Sequence, residues 1–599
     1  MFQDFTTRST RANGPARLAL LRAAIARAGL TGYLVPRADV HQGEYVAECD
    51  ARLGWLTGFT GSAGFCVVLP ELAGVFIDGR YRVQVKSEVD LSAFTPVPWP
   101  EVKAGPWLLE NLPAGGRIGF DPWLHTRKEV DDLRKALDGS AIELVETANL
   151  IDAIWTDRPA PPMQPARVHP AAFAGEPSAE KRQRLGAGLV KQGAQAAVLT
   201  LPDSISWLLN IRGADIPRNP VMQAFAVLHG NGHLTLFAEG TKLSPELRAH
   251  LGNEVTLRPV SAFAPALRSL KGPVLVDPGS APHQVGGELE DAGTLVLWAE
   301  DPCLLPKARK SAAEVAGMTA AHLRDGAALV EFLCWLEADA PKGTLTEIDV
   351  VERLENHRRA TGQLLDISFD TICGAGPNGA IVHYRVIEAT NRKVTPGELL
   401  LIDSGAQYPD GTTDITRTVA VGPVPEGAAE AFTRVLQGMI AISRARFPRG
   451  LAGRDLDALA RVALWQAGMD YDHGTGHGVG AALCVHEGPA RISRVSDVPL
   501  APGMILSNEP GHYREGQWGI RIENLILVTE APHLGEGRDH LCFETLTWVP
   551  IDRRLILRDL LSQAERDWLD AYHAGVQARI APLVGPAARD WLTAACAPL

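Results

Sequence analysis

Asp403 and Asp414, Glu509 and Glu523, and His477 between the two pairs are the residues of this 599-residue chain whose types and spacing could do chemistry. Asp403 ends an apolar run that begins at Glu398. A Pro409-Asp410-Gly411 turn and a second β-branched run to Val421 follow, an order that predicts a hairpin. With the turn centred between Pro409 and Asp410, Asp403 lies opposite Thr416 and Asp414 is its diagonal neighbour. Side chains alternate with period two, so both carboxylates project from one face. Like charges that close are destabilising unless a cation or a shared proton lies between them.

The second pair repeats the arrangement. Glu509 and Glu523 are symmetric about Gly516 and should face each other across a second hairpin. Between the hairpins runs His473-Gly-Thr-Gly-His-Gly-Val-Gly480, whose glycines let the backbone bend sharply and bring His477 to a crowded centre. Four carboxylates and one imidazole suit two hard or borderline divalent cations, Mn2+ before Co2+ or Zn2+, better than a thiolate zinc site. Such a site is the signature of a two-metal hydrolase, in which water bridging the cations becomes a competent nucleophile at neutral pH.

The strings Asp403-Ser-Gly-Ala-Gln-Tyr408, Gly411-Thr-Thr-Asp-Ile-Thr-Arg417, His473 to Gly480, Val485-His-Glu-Gly-Pro489, Asn508-Glu-Pro-Gly511 and Gly519-Ile-Arg-Ile-Glu-Asn524 resemble the pita-bread metallopeptidases. Within that group the chain is most similar to the long, three-domain, cytosolic-type Xaa-Pro aminopeptidases (the aminopeptidase P family). The resemblance extends to His41-Gln-Gly-Glu-Tyr-Val46, Gly58-Phe-Thr-Gly-Ser-Ala-Gly64 and Asp78-Gly-Arg-Tyr81. It implies that Asp403 binds one metal, that Asp414 and Glu523 bridge both, and that His477 and Glu509 complete the other. It also implies that His383, His473 and His486 contact the substrate backbone and the scissile carbonyl. Glu509 is the candidate proton shuttle, and the same resemblance implies that the Arg80 guanidinium is expected to reach substrate from the N-terminal domain, across a homodimer. One departure stands at the pocket rim, where Arg385-Val386-Ile387 replaces a proline-containing string seen in many relatives.

Positioning these residues requires more than one domain, and the length fits three. A faint repeat links Leu21 to Asp39 with Leu185 to Asp203: each copy is a helical pattern that ends at a glycine and enters a short apolar strand. Trp55-Leu-Thr-Gly-Phe-Thr-Gly61 is echoed by Trp207-Leu-Leu-Asn-Ile-Arg-Gly213. Proline-rich stretches at Pro159–Pro165 and Asp301–Pro306 mark boundaries. The expected architecture is therefore two creatinase-like α/β domains, 1–158 and 159–305, and an α+β pita-bread catalytic domain, 306–599, with a C-terminal extension. In the third domain a long helix is expected from Glu314 to Glu337, others over Ala428–Phe447 and Asp455–Ala467, and a last strand over Cys542–Ile551 ahead of helices.

Composition excludes other classes. The formal charge of −12, from 58 basic and 70 acidic residues, gives no reason to expect nucleic acid as a partner. No uninterrupted apolar run is long enough to span a membrane, and the N-terminus lacks the pattern of a secretory signal. Eight dispersed cysteines without a Cys-x-x-Cys pair fit a reducing cytoplasm. The leading reading is hydrolysis of the N-terminal Xaa-Pro bond of peptides. The alternatives are an Xaa-Pro dipeptidase (prolidase) and a catalytically silent pita-bread binding module; a creatinase-like amidinohydrolase is disfavoured because that chemistry uses the fold without metal carboxylates.

Overall fold

The faint repeat corresponds to two six-stranded sheets of the same topology. In the computed structural model, which describes residues 1–533, 535 and 537–599, helix α1 (Gly14–Arg27) leads into β1 (Gly32–Pro36), followed by α2 (Arg52–Thr57), β2 (Phe65–Val68), β3 (Ala73–Ile77), β4 (Thr95–Pro98), β5 (Gly116–Phe120) and β6 (Ile142–Glu146). The order is β4-β3-β2-β1-β5-β6. The β1-β2 and β2-β3 ladders are antiparallel and the outer ones parallel. The second copy runs α3 (Ser178–Lys191), β7 (Ala196–Leu199), α4 (Pro202–Leu209), β8 (Phe225–His229), β9 (Leu234–Phe237), β10 (Val255–Arg258), β11 (Val274–Val276) and β12 (Val296–Trp298). Its order, β10-β9-β8-β7-β11-β12, carries the same sequence of ladder directions.

The local reasons are the same in both copies. Leu18, Leu21 and Ile25 fall on one face of α1, as Leu185 and Leu189 do on α3, and all are buried. Each helix is followed by a glycine at positive φ, Gly29 (+66°) and Gly193 (+80°), which turns the chain toward the strand. Strand alternation divides the core between two faces: Tyr33 and Val35 pack with Leu18 and Leu21, while Leu34 packs with Val67, Phe76 and Ile118. Trp55 and Trp207 occupy corresponding short helices, α2 and α4.

Both sheets lie in one compact unit, Arg8–Leu304; the other comprises Leu305–Leu599 with Met1–Thr7. The first seven residues join it through long-range bonds that no local signal announces. The Phe2 N–H donates to Glu355 (2.8 Å), the Thr371 N–H to Gln3 (2.8 Å), and Arg385 to the carbonyls of Asp4 (2.6 Å) and Thr6 (3.0 Å).

In this second unit α5 (Ala312–Asp339) and α6 (Glu347–Arg359) each start at a capping box, Ser311 with Glu314 and Thr346 with Asp349. After β13 (Asp366–Ile367) and β14 (Ile372–Ala375), the first expected hairpin appears as β15 (Glu398–Ser404), β16 (Ala406–Tyr408), β17 (Gly411–Thr412) and β18 (Ile415–Val421). Asp403 is opposite Thr416, the register that the turn centre implied. The hairpin is nevertheless broken: β14, β15 and β18 form one sheet with β15 in the middle, whereas β13, β16 and β17 form another with β16 in the middle. Gly405 stands at the break, where a Cβ would lie 2.0 Å from Ser368 Oγ and 2.1 Å from the Thr413 carbonyl, so only glycine fits.

Helices α7 (Ala428–Ser443) and α8 (Arg454–Trp465) flank β19 (Arg446–Pro448), and β20 (Gly476–Gly478), β21 (Glu487–Ile492), β22 (Ile505–Asn508), β23 (Gly511–Arg514), β24 (Trp518–Arg521), β25 (Asn524–Glu530) and β26 (His540–Thr545) follow. A fully antiparallel sheet runs β19-β26-β25-β22-β20-β21. Ile442, Leu456 and Ala460 from the two helices pack on Ile492, Leu506, Ile526 and Val528 of that sheet.

Three expected elements end early; the helix expected through Ala467 stops at Trp465. The helix expected through Phe447 stops at Ser443, because Arg446–Pro448 pairs with His540–Cys542 as an edge strand. The last strand stops at Thr545 rather than Ile551, since beyond Leu546 the Leu525 N–H is taken by the Thr547 hydroxyl (2.9 Å). Helices α9 (Gln563–Ile580) and α10 (Pro586–Ala595) close the chain. No helix among the described residues is long and apolar enough to cross a membrane.

Candidate metal centre

Each of the two hairpins is interrupted at a carboxylate. In the second, β22 pairs with β25 and β23 with β24 on a common centre at Gly516, so Glu509 and Glu523 fall opposite each other in register. They lie in the gap between the two ladders, where Pro510 has no N–H to continue the pairing. In the first hairpin Asp414 lies in the corresponding gap, just before β18, and Asp403 is the penultimate residue of β15. These gaps release Asp414, Glu509 and Glu523 from strict alternation and let them converge.

The donor atoms of Asp414, His477 and Glu523 all lie within 4.8 Å of one another. His477 is the middle residue of β20. Its Nδ1 is 3.0 Å from the Gly478 carbonyl, which can only accept, so Nδ1 donates there and Nε2 is the nitrogen turned toward the carboxylates. That Nε2 is 3.4 Å from Asp414 Oδ2 and 3.5 Å from Glu509 Oε1. A ring nitrogen held this close to two carboxylates needs a proton or a cation between them. Ser507 ties the two sides together, accepting from the His477 N–H (2.9 Å) and donating to Glu509 Oε1 (3.0 Å).

Asp403 Oδ1 and Glu523 Oε1 are buried with no hydrogen-bond partner among the described residues. Unmade bonds of this kind are costly unless another ligand takes them. Burial pushes the Asp414 and Glu523 carboxyls well above the usual range, and the surrounding carboxylates push them further. Glu509 is also raised by burial, although His477 and Arg521 oppose the shift. Divalent cations would reverse all three shifts. Orphaned oxygens, an imidazole with Nε2 turned inward and clustered carboxylates together fit a hard or borderline divalent pair.

Arg521 was not among the residues the sequence pointed to. It is buried and donates to Asp403 Oδ2 (2.6 Å), to the Tyr513 hydroxyl (2.6 Å), to Thr416 Oγ1 (3.2 Å) and to the Val382 carbonyl (3.3 Å). Burial disfavours its charge, but Tyr513 and Asp403 outweigh that effect and raise its pKa. Its place two residues before Glu523, at the end of the strand that leads to it, was the available signal.

The other expected residues border this group. His473 Nδ1 donates to the Gly474 carbonyl (2.7 Å) and its Nε2 is 2.9 Å from the Tyr513 hydroxyl. The His486 ring meets His477 edge to face at 4.3 Å. His383 follows Val382, whose carbonyl Arg521 holds. Arg80 belongs to the Arg8–Leu304 unit, where its guanidinium pairs with Asp78 (2.8 Å) over the Tyr81 ring.

Two supporting networks had no sequence signal. Asp325 of α5 accepts from Arg358 (2.8 Å), the Tyr408 hydroxyl (2.9 Å) and Thr413 Oγ1 (2.9 Å), and Arg358 also donates to the Gly405 carbonyl (3.3 Å). This bolts the first break beside Asp414. Asp457 accepts from Thr475 Oγ1 (2.7 Å), and Arg461 donates to the His473 carbonyl (2.8 Å), which holds the glycine-rich loop.

Comparison with known proteins agrees with this geometry. The model for metallopeptidase family M24 matches residues 316–530, and that for its C-terminal region matches 539–599. Two creatinase/prolidase N-terminal domain models match 17–154 and 157–314. The chain is 40% identical to aminopeptidase P2 of Arabidopsis thaliana, over 94% of this chain and 85% of that protein. It is also 40% identical to a probable Xaa-Pro aminopeptidase P of Aspergillus niger, over 94% of each. Among solved structures, an X-prolyl aminopeptidase from Caenorhabditis elegans, described as a cytosolic enzyme with a di-nuclear active site, matches with a TM-score of 0.93 and 35% identity over 98% of this chain and 99% of that one.

Proposed function

The chain belongs to metallopeptidase family M24, with two creatinase-type domains ahead of a pita-bread catalytic domain, and from that premise we propose that it is a metalloaminopeptidase that removes the N-terminal residue from peptides with proline in the second position. The observation that carries the hydrolytic part is the inward-facing His477 Nε2 among the carboxylates of Asp414, Glu509 and Glu523. Substrate class rests on the likeness, across almost the whole length, to proteins named Xaa-Pro aminopeptidases.

We assign Asp403 to one cation, Asp414 and Glu523 to both, and His477 and Glu509 to the other, with Mn2+ as the expected metal. Two such cations supply a water of lowered pKa and polarise the scissile carbonyl. The protein's own part is to orient and to move protons. Glu509, with Oε1 held by Ser507, takes a proton from the attacking water and returns it to the proline nitrogen, which has no N–H of its own in the substrate amide. His486 and His383 contact the scissile carbonyl and the neighbouring backbone, and His473, oriented by Tyr513 and the Gly474 carbonyl, binds the substrate backbone. No side chain forms a covalent intermediate in this scheme.

His486→Ala is expected to keep its metal while kcat falls by about 10²-fold, a size typical of a lost polar contact to a reacting carbonyl. Metal analysis beside kinetics checks this, and unchanged kcat would remove His486 from the site.

A homodimer is proposed as well. The exposed side chains of Leu459, Val462 and Trp465 form an apolar stripe at spacing three along α8 that suits a second copy. Arg80 would reach substrate in such a dimer. Sedimentation velocity is expected to give the dimer mass, and a monomer would withdraw both readings. The domain boundaries are placed at 158/159 and 305/306. A cytoplasmic setting is supported by the dispersed cysteines, none in a Cys-x-x-Cys pair, and by the cytosolic description of the Caenorhabditis elegans protein.

The deciding experiment compares an Xaa-Pro-Xaa tripeptide with the matching Xaa-Pro dipeptide, with Mn2+ and then with chelator. Chelator-sensitive release from the tripeptide and little from the dipeptide is expected. Preference for the dipeptide would make the enzyme a prolidase, and cleavage of neither would leave a binding module.

A further inference from the structure

Glu487, the residue after His486, is buried between two lysines. Lys307 Nζ is 3.0 Å from its Oε1, Lys310 Nζ pairs with its Oε2, and all three side chains are no more than 2% exposed. Lys310 is itself fixed: Nζ donates to the Lys307 carbonyl (3.0 Å), and the Lys310 N–H donates to the Gly503 carbonyl (2.9 Å) at the turn before β22. A buried ion triad contributes little net stability compared with apolar packing of the same volume. What it does supply is a fixed direction for one side chain.

That direction matters because of where Glu487 lies. It is the first residue of β21 and pairs with Gly478, next to His477, immediately beyond an irregularity that shifts the register from His477↔Arg491 to Gly478↔Glu487. The approach is so close that a Cβ on Gly478 would lie 2.2 Å from the Glu487 carbonyl. Ladder hydrogen bonds cannot hold the chain through such a bulge, so a side-chain anchor has to. Successive side chains at a strand start point to opposite faces. With Glu487 pinned to the lysines on one side, His486 is presented on the other, where its ring meets His477 at 4.3 Å.

We propose that Glu487, clamped by Lys307 and Lys310, is the positioning residue for His486. The clamp touches neither substrate nor the carboxylate cluster; it acts through the direction of one imidazole. The proposal rests on the reading of His486 as a contact to the scissile carbonyl.

The test is a double-mutant cycle on the full-length, Mn2+-loaded enzyme. Lys307→Met/Lys310→Met/Glu487→Leu removes all three charges at nearly constant volume. Lys310→Met alone leaves one lysine for one carboxylate, a neutral pair, and serves should the triple variant fail to fold. In the wild-type background kcat is expected to fall by about tenfold or more in the triple variant and by a few-fold in Lys310→Met, with KM and metal content little changed, as for a misdirected catalytic contact. In the His486→Ala background the same changes should alter kcat less than about twofold, because their target is gone. A general loss of structure would instead lower kcat in both backgrounds. Wild-type kcat in a folded clamp variant, or the full loss persisting without His486, would overturn the proposal. If His486→Ala by itself leaves kcat unchanged, the role of His486 fails and the clamp with it, whichever peptide the enzyme prefers.

Discussion

Asp414→Ala is expected to abolish turnover and metal binding together. Asp414 lies in the break before β18, buried, with Oδ2 3.4 Å from His477 Nε2 and within the group that includes Glu523. As one of two carboxylates assigned to both cations, it contributes to each half of the site, so its loss should leave less than one tightly held metal per chain. Activity should then fall by about 10³-fold or more, since neither water activation nor carbonyl polarisation is supplied without the metals.

The stability change has an informative sign. In chelated protein Asp414 is one of four crowded carboxylates, and burial and Asp403 both oppose its charge. Removing it relieves that repulsion, so the metal-free variant should be at least as stable to heat as metal-free wild type. Only wild type should then gain stability on addition of Mn2+, because ligand binding stabilises the state that binds. Metal analysis, peptide hydrolysis and paired thermal scans read all three effects. Two metals per chain with wild-type activity would sink the assignment.

Arg521→Met is expected to destabilise the catalytic unit severely. The guanidinium is wholly buried and bonded to Asp403, Tyr513 and Thr416. Breaking a buried ion pair from one side leaves the other charge uncompensated, at a cost of about 3–5 kcal/mol. The damage should also reach the substrate contact proposed for His473, since the Tyr513 hydroxyl that Arg521 holds is 2.9 Å from His473 Nε2. Adding Asp403→Asn should recover part of the stability in chelated protein, because it removes the orphaned charge, while activity stays lost for want of Asp403. Denaturant unfolding of the four proteins in chelator measures this cycle. A cost below about 1 kcal/mol for Arg521→Met would show that Asp403 does not depend on it.

Asp414 could be read from the sequence and Arg521 could not, although Arg521 stands only two residues before Glu523. The pairing of Asp403 with Thr416 and of Glu509 with Glu523 follows from turn centres and period-two alternation, which are local rules. The two N-terminal sheets follow from a repeated order of apolar runs and helix-ending glycines, local as well. The same local rules misjudged the ends of α7 and β26. Those ends are set by a partner strand and by the Leu525 N–H of another strand, which bonds to the Thr547 hydroxyl rather than to backbone.

The sequence by itself determined which residues could bind metal, how the hairpins register and to which family the chain belongs, because residue type, turn chemistry and side-chain period act over a few residues. Tertiary structure alone decided that both hairpins break at their carboxylates, with Arg358 and Asp325 bolting one break. It also decided that Arg521 balances Asp403, that Met1–Thr7 lies on the catalytic unit, and that Lys307 and Lys310 grip Glu487. In each of these cases a buried charge or an unpaired backbone group is satisfied by a partner distant in sequence. Such a partner becomes definite only when the core closes and water is gone, which is when leaving the group unpaired becomes costly.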